Sequence, residues 1–140
     1  MKILVDANRI VAALMKQGTT RDILLDEAFE FVTPDYSISE IEEHRGEFQQ
    51  KVKLTKEEFD LLLTLLFERI TVLPKSVYND FTDECKEAIE DIDDAPYLAA
   101  CLASKSLGIW SHDPHILRQK KASVFTNIDM LRLSKSAKSD

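Results

Sequence analysis

Glycine and proline are scarce, with three and four in 140 residues, and no stretch enriched in them divides the chain. That argues against an internal linker. Residues 1–133 read as one domain with a core of its own, and 134–140, all polar apart from Ala137, as a frayed tail. Long hydrophobic runs are lacking too. The longest, Leu61 to Phe67, falls far short of the roughly 20 residues of a membrane span. An acid at position 6 comes too early for the apolar stretch of a secretory leader, so the cytoplasm is the expected location. The two cysteines, Cys85 and Cys101, are then expected to be reduced thiols in or near the core. Zinc-type spacing of Cys and His is missing: His44, His112 and His115 form no i,i+4 pair on one helix. Glycine-rich phosphate loops are absent as well.

An excess of basic residues is the last absence. The net charge is -7, and an acidic protein lacks the Lys and Arg that supply most non-specific affinity for nucleic acid. The charge is unevenly distributed. Eight acids between Asp80 and Asp94 face one base, Lys86, whereas six bases from Arg118 onward face Asp129 and Asp140. Any nucleic-acid role must therefore bring in cations, as bound metal or as a local patch.

Apolar residues dictate the elements. Lys2-Ile3-Leu4-Val5 is a continuous run of the kind that forms a strand buried on both faces. Ile10, Val11, Leu14 and Met15 then recur at helical spacing toward Gly18. A helix from Thr20 to Ala28 and a strand over Glu30-Phe31-Val32-Thr33 follow. Ser37–Lys51 and Thr55–Arg69 are predicted as helices, each opened by a Ser/Thr-x-x-Glu capping signature. Ile70–Leu73 is a third strand. Helices over Phe81–Ile89 and Asp94–Leu107 lead to strands at Ile109–His112 and Ser123–Thr126 and to a last helix over Ile128–Leu133. Such alternation predicts an α/β fold, a parallel sheet with helices on both faces. Ligands of these sheets bind at the carboxyl ends of the strands.

Carboxylates stand at those ends. Asp6 follows the first strand directly and Asp113 the fourth, although each can equally be a helix N-cap. Asp94 heads a helix rich in Ala and larger apolar groups, which must pack closely against the sheet. Pro96 in its first turn is compatible with a plain cap at Asp94. Glu40 closes the capping signature Ser37-Ile38-Ser39-Glu40, so its side chain is open to a purely local role. Carboxylates that converge repel one another unless a cation lies among them, and an all-oxygen set suits Mg²⁺ or Mn²⁺. The chemistry expected of such a site is metal-assisted phosphodiester hydrolysis.

Four motifs in order span nearly the whole chain: Ile3-Leu4-Val5-Asp6-Ala7-Asn8, Ser39-Glu40-Ile41, Asp91-Ile92-Asp93-Asp94-Ala95-Pro96-Tyr97-Leu98-Ala99-Ala100, and Ile109-Trp110-Ser111-His112-Asp113. Together they resemble the PIN-domain nucleases, which include the toxin ribonucleases of toxin–antitoxin pairs. The resemblance implies a three-layer α/β/α sandwich with a parallel sheet of about five strands. It further implies Mg²⁺- or Mn²⁺-dependent cleavage of single-stranded RNA, with Asp6, Glu40, Asp94 and Asp113 as catalytic acids and metal ligands. The resemblance also implies Asp91 and Asp93 as auxiliary acids, with Asp91 as an additional metal ligand. Asn8 and Ser111 match positions where the family carries small polar residues supporting the metal. An antitoxin protein and a homodimer are the implied partners; the apolar Phe59–Phe67 helix reads either as a dimer interface or as core, with core expected for at least half of its apolar positions. The fourth motif departs from the usual Thr-x-Asp by having Ser111. His115 beside it reads either as a ligand or as an exposed loop residue. Arg9 and the Arg118-Lys120-Lys121 cluster are the nearest candidate cations for RNA. The alternative is a PIN-like binding or regulatory module without turnover.

Overall fold

Lys2–Val5 forms β1 at the centre of a five-stranded sheet ordered β3-β2-β1-β4-β5. The other strands are β2 (Glu30–Pro34), β3 (Ile70–Leu73), β4 (Gly108–Trp110) and β5 (Val124–Phe125), and every pairing is parallel. The computed structural model describes residues 1–15 and 18–139. Ile3, Leu4 and Val5 are all fully buried, as a strand covered on both faces requires.

Ten helices flank the sheet among the described residues: α1 (Ala7–Ala12), α2 (Thr19–Leu24), α3 (Tyr36–Glu43), α4 (Arg45–Val52), α5 (Lys56–Phe67), α6 (Lys75–Tyr78), α7 (Thr82–Ala88), α8 (Ala95–Ser104), α9 (Pro114–Arg118) and α10 (Asn127–Lys138). Single 3-10 turns cover Asn79–Phe81 and Ile92–Asp94. The arrangement is the three-layer α/β/α sandwich. Helix α8 crosses the middle of the sheet, against β1, β2 and β4. Its small residues allow this close approach: Ala95, Ala99 and Ala100 are fully buried beside Tyr97 and Leu98. Gly108 serves a similar end between β4 and β5, where an added Cβ would lie 2.6 Å from the carbonyl oxygen of Ser123.

The strand order has a switch at β1. From β1 the chain builds outward through β2 and β3, then returns to β1's other side with β4 and β5. Loops leaving β1 and β2 on one side and β4 on the other diverge there, opening a crevice at the carboxyl edge.

Several boundaries differ from the sequence reading. The expected helix over 37–51 is two helices, broken at His44, whose backbone is non-helical (φ −107°, ψ 19°) with Gly46 just beyond. Only the second of the two capping signatures forms: Thr55 and Glu58 make a full capping box on α5. The first does not form, because Asp35 is already helical when the chain leaves Pro34, so the helix starts early and Ser37 lies buried within its first turn. Helix α1 ends at Ala12 instead of continuing through Leu14 and Met15, and the Ala13 and Leu14 carbonyls accept hydrogen bonds from Arg21; the rest of the expected helix toward Gly18 crosses residues 16 and 17, outside the described residues. Helix α10 continues to Lys138 rather than stopping at Leu133, because Asp26 accepts hydrogen bonds from Ser134 Oγ and Lys138 Nζ and anchors the last turns. Helix α5 is mostly core: Phe59 and Leu66 are buried, Leu62, Leu63 and Phe67 pack against the core, and Leu61 and Leu65 are left exposed.

Candidate metal centre

Register creates the first half of the site. Val5 pairs with Trp110, so the next residues, Asp6 and Ser111, emerge side by side at the carboxyl edge. Both are buried. Ser111 Oγ donates a short hydrogen bond to Asp6 Oδ2 and accepts one from the Asp113 N–H at 3.0 Å. One hydroxyl thus ties the two strand-end acids together. Asp6 Oδ1 also caps α1 by accepting the Arg9 N–H at 2.9 Å, and Asp113 Oδ1 caps α9 by accepting the His115 N–H at 2.8 Å. The capping and the functional readings of these aspartates are therefore compatible: a cap uses one carboxylate oxygen and fixes the other.

Helix α8 supplies the second half. Asp94 sits at its N-terminus, and Tyr97 one turn on reaches across to Glu40 on α3. The Tyr97 hydroxyl donates a short hydrogen bond to Glu40 Oε1 and accepts the Ala7 N–H at 3.4 Å. Glu40 is therefore not a helix cap. It lies in the second turn of α3, and its carboxylate is held by a residue 57 positions away. No local pattern encodes that contact.

Burial and mutual repulsion raise these acids. Asp6 is pushed up to about 6, by burial first, against the lowering hydrogen bonds from Ser111 and Arg9. Asp94 is pushed up to about 7, by burial and then by the charges of Asp113, Asp91, Glu40 and Asp6. Glu40 is raised as well, again by burial before all else. The four other acids singled out as metal ligands thus all act on Asp94. Asp94 Oδ2 is enclosed yet has no hydrogen-bond partner. His115 Nδ1 stands 3.8 Å from it, beyond hydrogen-bonding distance. A buried oxygen without a partner is costly. A cation bound to it would remove that cost, so the residues present fit a divalent metal.

His115 is the residue that sequence reasoning undervalued. Its Nδ1 lies 3.5 Å from Asp113 and 4.0 Å from Asp91, and its Nε2 is 3.9 Å from Glu90. With Asp91 and Asp94 it forms a group whose ligand atoms all lie within 4.8 Å of one another, close enough to hold one ion. The available signal was Asp113-Pro114: an N-cap followed by proline at the first helical position starts a helix, and α9 turns His115 back toward the acids. Asp93 faces the other way, into a neighbouring cleft. Asn8 is exposed and lines a small pocket with Glu40 and His44.

The cations expected to receive RNA are largely committed. Arg9 is turned toward Thr20 and Asn127 (3.5 and 3.4 Å), Arg118 pairs with Glu90 at 2.8 Å, and Lys121 with Glu84 at 3.3 Å.

A parallel sheet with a switch at β1, and one buried and several partly buried acids around an unpartnered oxygen at that switch, define an α/β domain able to hold a metal. Residues 4–127 match the family model of the PIN domain, and the chain belongs to that family, whose members are generally metal-dependent nucleases. No curated protein matches the chain. Among the described residues, no helix is long and apolar enough to cross a membrane.

Because Ser111 Oγ fixes both strand-end acids, Ser111→Ala is expected to lower any metal-dependent activity about 10- to 100-fold, the usual effect of losing a residue that orients metal ligands. Ser111→Thr, which keeps the hydroxyl, is expected to retain most of it. Equal loss in both variants, measured with unchanged melting temperature, would refute the orienting role.

Proposed function

We propose that the protein is a metal-dependent endoribonuclease that hydrolyses phosphodiester bonds of single-stranded RNA, with Asp6, Glu40, Asp94 and Asp113 as its acids and Asp91 as a further ligand. The observation that carries this reading is the enclosed, unpartnered Asp94 Oδ2 among four other carboxylates. Bound Mg²⁺ or Mn²⁺ would supply an activated water and neutralise charge on the transferring phosphoryl group. The chain's own residues prepare for it. Ser111 holds Asp6, Tyr97 holds Glu40, and Asp94 keeps an enclosed oxygen without a hydrogen-bond partner. His115 favours Mn²⁺ over Mg²⁺ as the working ion, since an imidazole nitrogen suits the softer metal better. We further propose, on the family resemblance alone, that the chain is the toxin of a toxin–antitoxin pair. An antitoxin would then cover this cleft, and Leu61 and Leu65 on α5 offer a surface for a second copy.

The test uses the purified protein and end-labelled RNA. Cleavage of single strands, leaving a 5′-phosphate, is expected with Mn²⁺ or Mg²⁺, is expected to stop with chelator, and should be weak on duplex RNA. Cleavage indifferent to chelator, or none with either metal on a varied RNA panel, would overturn the proposal.

A further inference from the structure

Beside the acids lies a cleft of about 460 Å³ walled by Tyr36, Tyr78, Ile92 and Pro96, with Lys75 and Lys86 on its rim. It is continuous with the site in chain and in field. Ser39 precedes Glu40, Asp93 precedes Asp94, and Pro96 lies in the first turn of α8. The Tyr36 ring meets Tyr97, the residue that holds Glu40, edge-on at 5.7 Å. Charges on Glu40, Asp93 and Asp94 all reach the Tyr36 hydroxyl, which burial and these acids push up to about 12.

The charged groups lining this cleft are Asp35, Asp93, Lys75 and Lys86. Asp35 is spent, since it accepts the Tyr78 hydroxyl and the Lys75 N–H. The two ammonium groups are not. Among the described residues no carboxylate lies within ion-pair distance of Lys75 Nζ or Lys86 Nζ, although Lys86 stands in the most acidic stretch of the chain. Tyr36 is half-exposed, and among the described residues no hydrogen bond holds its hydroxyl. Two unpaired cations and a half-exposed aromatic ring, held edge-on by Tyr97, are what single-stranded nucleic acid requires: phosphates for the lysines and a base for the ring.

We propose that this cleft seats the nucleotide adjacent to the scissile phosphate, with Tyr36 as the stacking platform and Lys75 and Lys86 on the flanking phosphates. The inference rests on the nuclease reading above and names where its substrate lies. It also answers how a chain of charge -7 holds RNA: metal takes the scissile phosphate, and two local cations take its neighbours.

The test measures kcat and KM for a single-stranded RNA oligonucleotide with Mn²⁺, over a series of salt concentrations. Alongside it, the wild-type protein is assayed on bis(p-nitrophenyl) phosphate, a diester with neither base nor flanking phosphate. Lys75→Gln/Lys86→Gln is expected to raise KM for RNA about tenfold. It should also flatten the salt dependence of log kcat/KM by about 1.4, since each phosphate neutralised on a single strand adds about 0.7 to that slope. Tyr36→Ala is expected to raise KM about tenfold as well, the size of one base stack, whereas Tyr36→Phe should stay near wild type. Lys105→Gln, at the far end of α8 and about 15 Å away, is the neutral control. If the double variant matches the control in KM and salt slope, or if Tyr36→Phe loses as much as Tyr36→Ala, the subsite is refuted. If the wild type hydrolyses neither RNA nor the small diester, the nuclease reading itself falls.

Discussion

Replacing Asp6 or Asp94 by asparagine is expected to reduce RNA cleavage about 1,000-fold or more while leaving the fold intact. The magnitude follows from the several kcal/mol that a metal contributes to a phosphoryl-transfer transition state, at about 1.4 kcal/mol per factor of ten. Asparagine keeps the shape of the side chain and one oxygen. At position 6 it can still cap α1, and at position 94 it removes a charge that four neighbouring acids oppose. Folding should therefore survive, and the loss should appear in turnover. Gel assays of both variants, purified identically to the wild type and accompanied by melting curves, decide the matter. Cleavage that persists in both would mean that the acids do not carry the activity.

The metal-free protein is expected to lose about 3 kcal/mol of stability, or about 10 °C of melting temperature, between pH 5 and pH 8. Asp6 and Asp94 titrate near 6 and 7 in the folded chain, but near the ordinary aspartate value of 3.8 once unfolded. Within this window the folded state binds more protons than the unfolded one, so stability falls as pH rises. Burial raises Asp26, but its hydrogen bonds together outweigh that, and hydrogen bonds likewise outweigh burial at Glu42 and Asp129, so all three lie below their usual range. Their contributions fade only at lower pH. His112, held down mainly by burial, opposes the trend weakly. Saturating Mn²⁺ should abolish the decline, because binding to the ionised acids offsets their repulsion. Asp94→Asn should flatten it without metal. A melting temperature that is constant or rises from pH 5 to pH 8 in chelator would contradict the electrostatic account of the site.

Much of this site was legible in the chain. Asp6 and Asp113 were placed at strand ends by the apolar runs before them, and Asp94 at a helix head by the buried alanine-rich segment after it. These are local patterns, and local sterics and burial enforce them. Glu40 was harder. Its sequence context spelled a helix cap, and only the early start of α3 and the long-range hydroxyl of Tyr97 gave it another partner.

Residue patterns alone specify the parallel α/β class, a first strand buried on both faces and three of the strand-end or helix-head acids, because periodicity and burial are written residue by residue. Tertiary structure alone decided what those acids meet. The Val5–Trp110 register brought Ser111 onto Asp6, α9 turned His115 into the carboxylates, and the packing of α8 against the sheet left Asp94 Oδ2 without a partner. It also decided which cations remain free, pairing Arg118 and Lys121 with acids and leaving Lys75 and Lys86 at a cleft. Those outcomes depend on meetings between segments far apart in the chain, and such distances have no signature in local spacing.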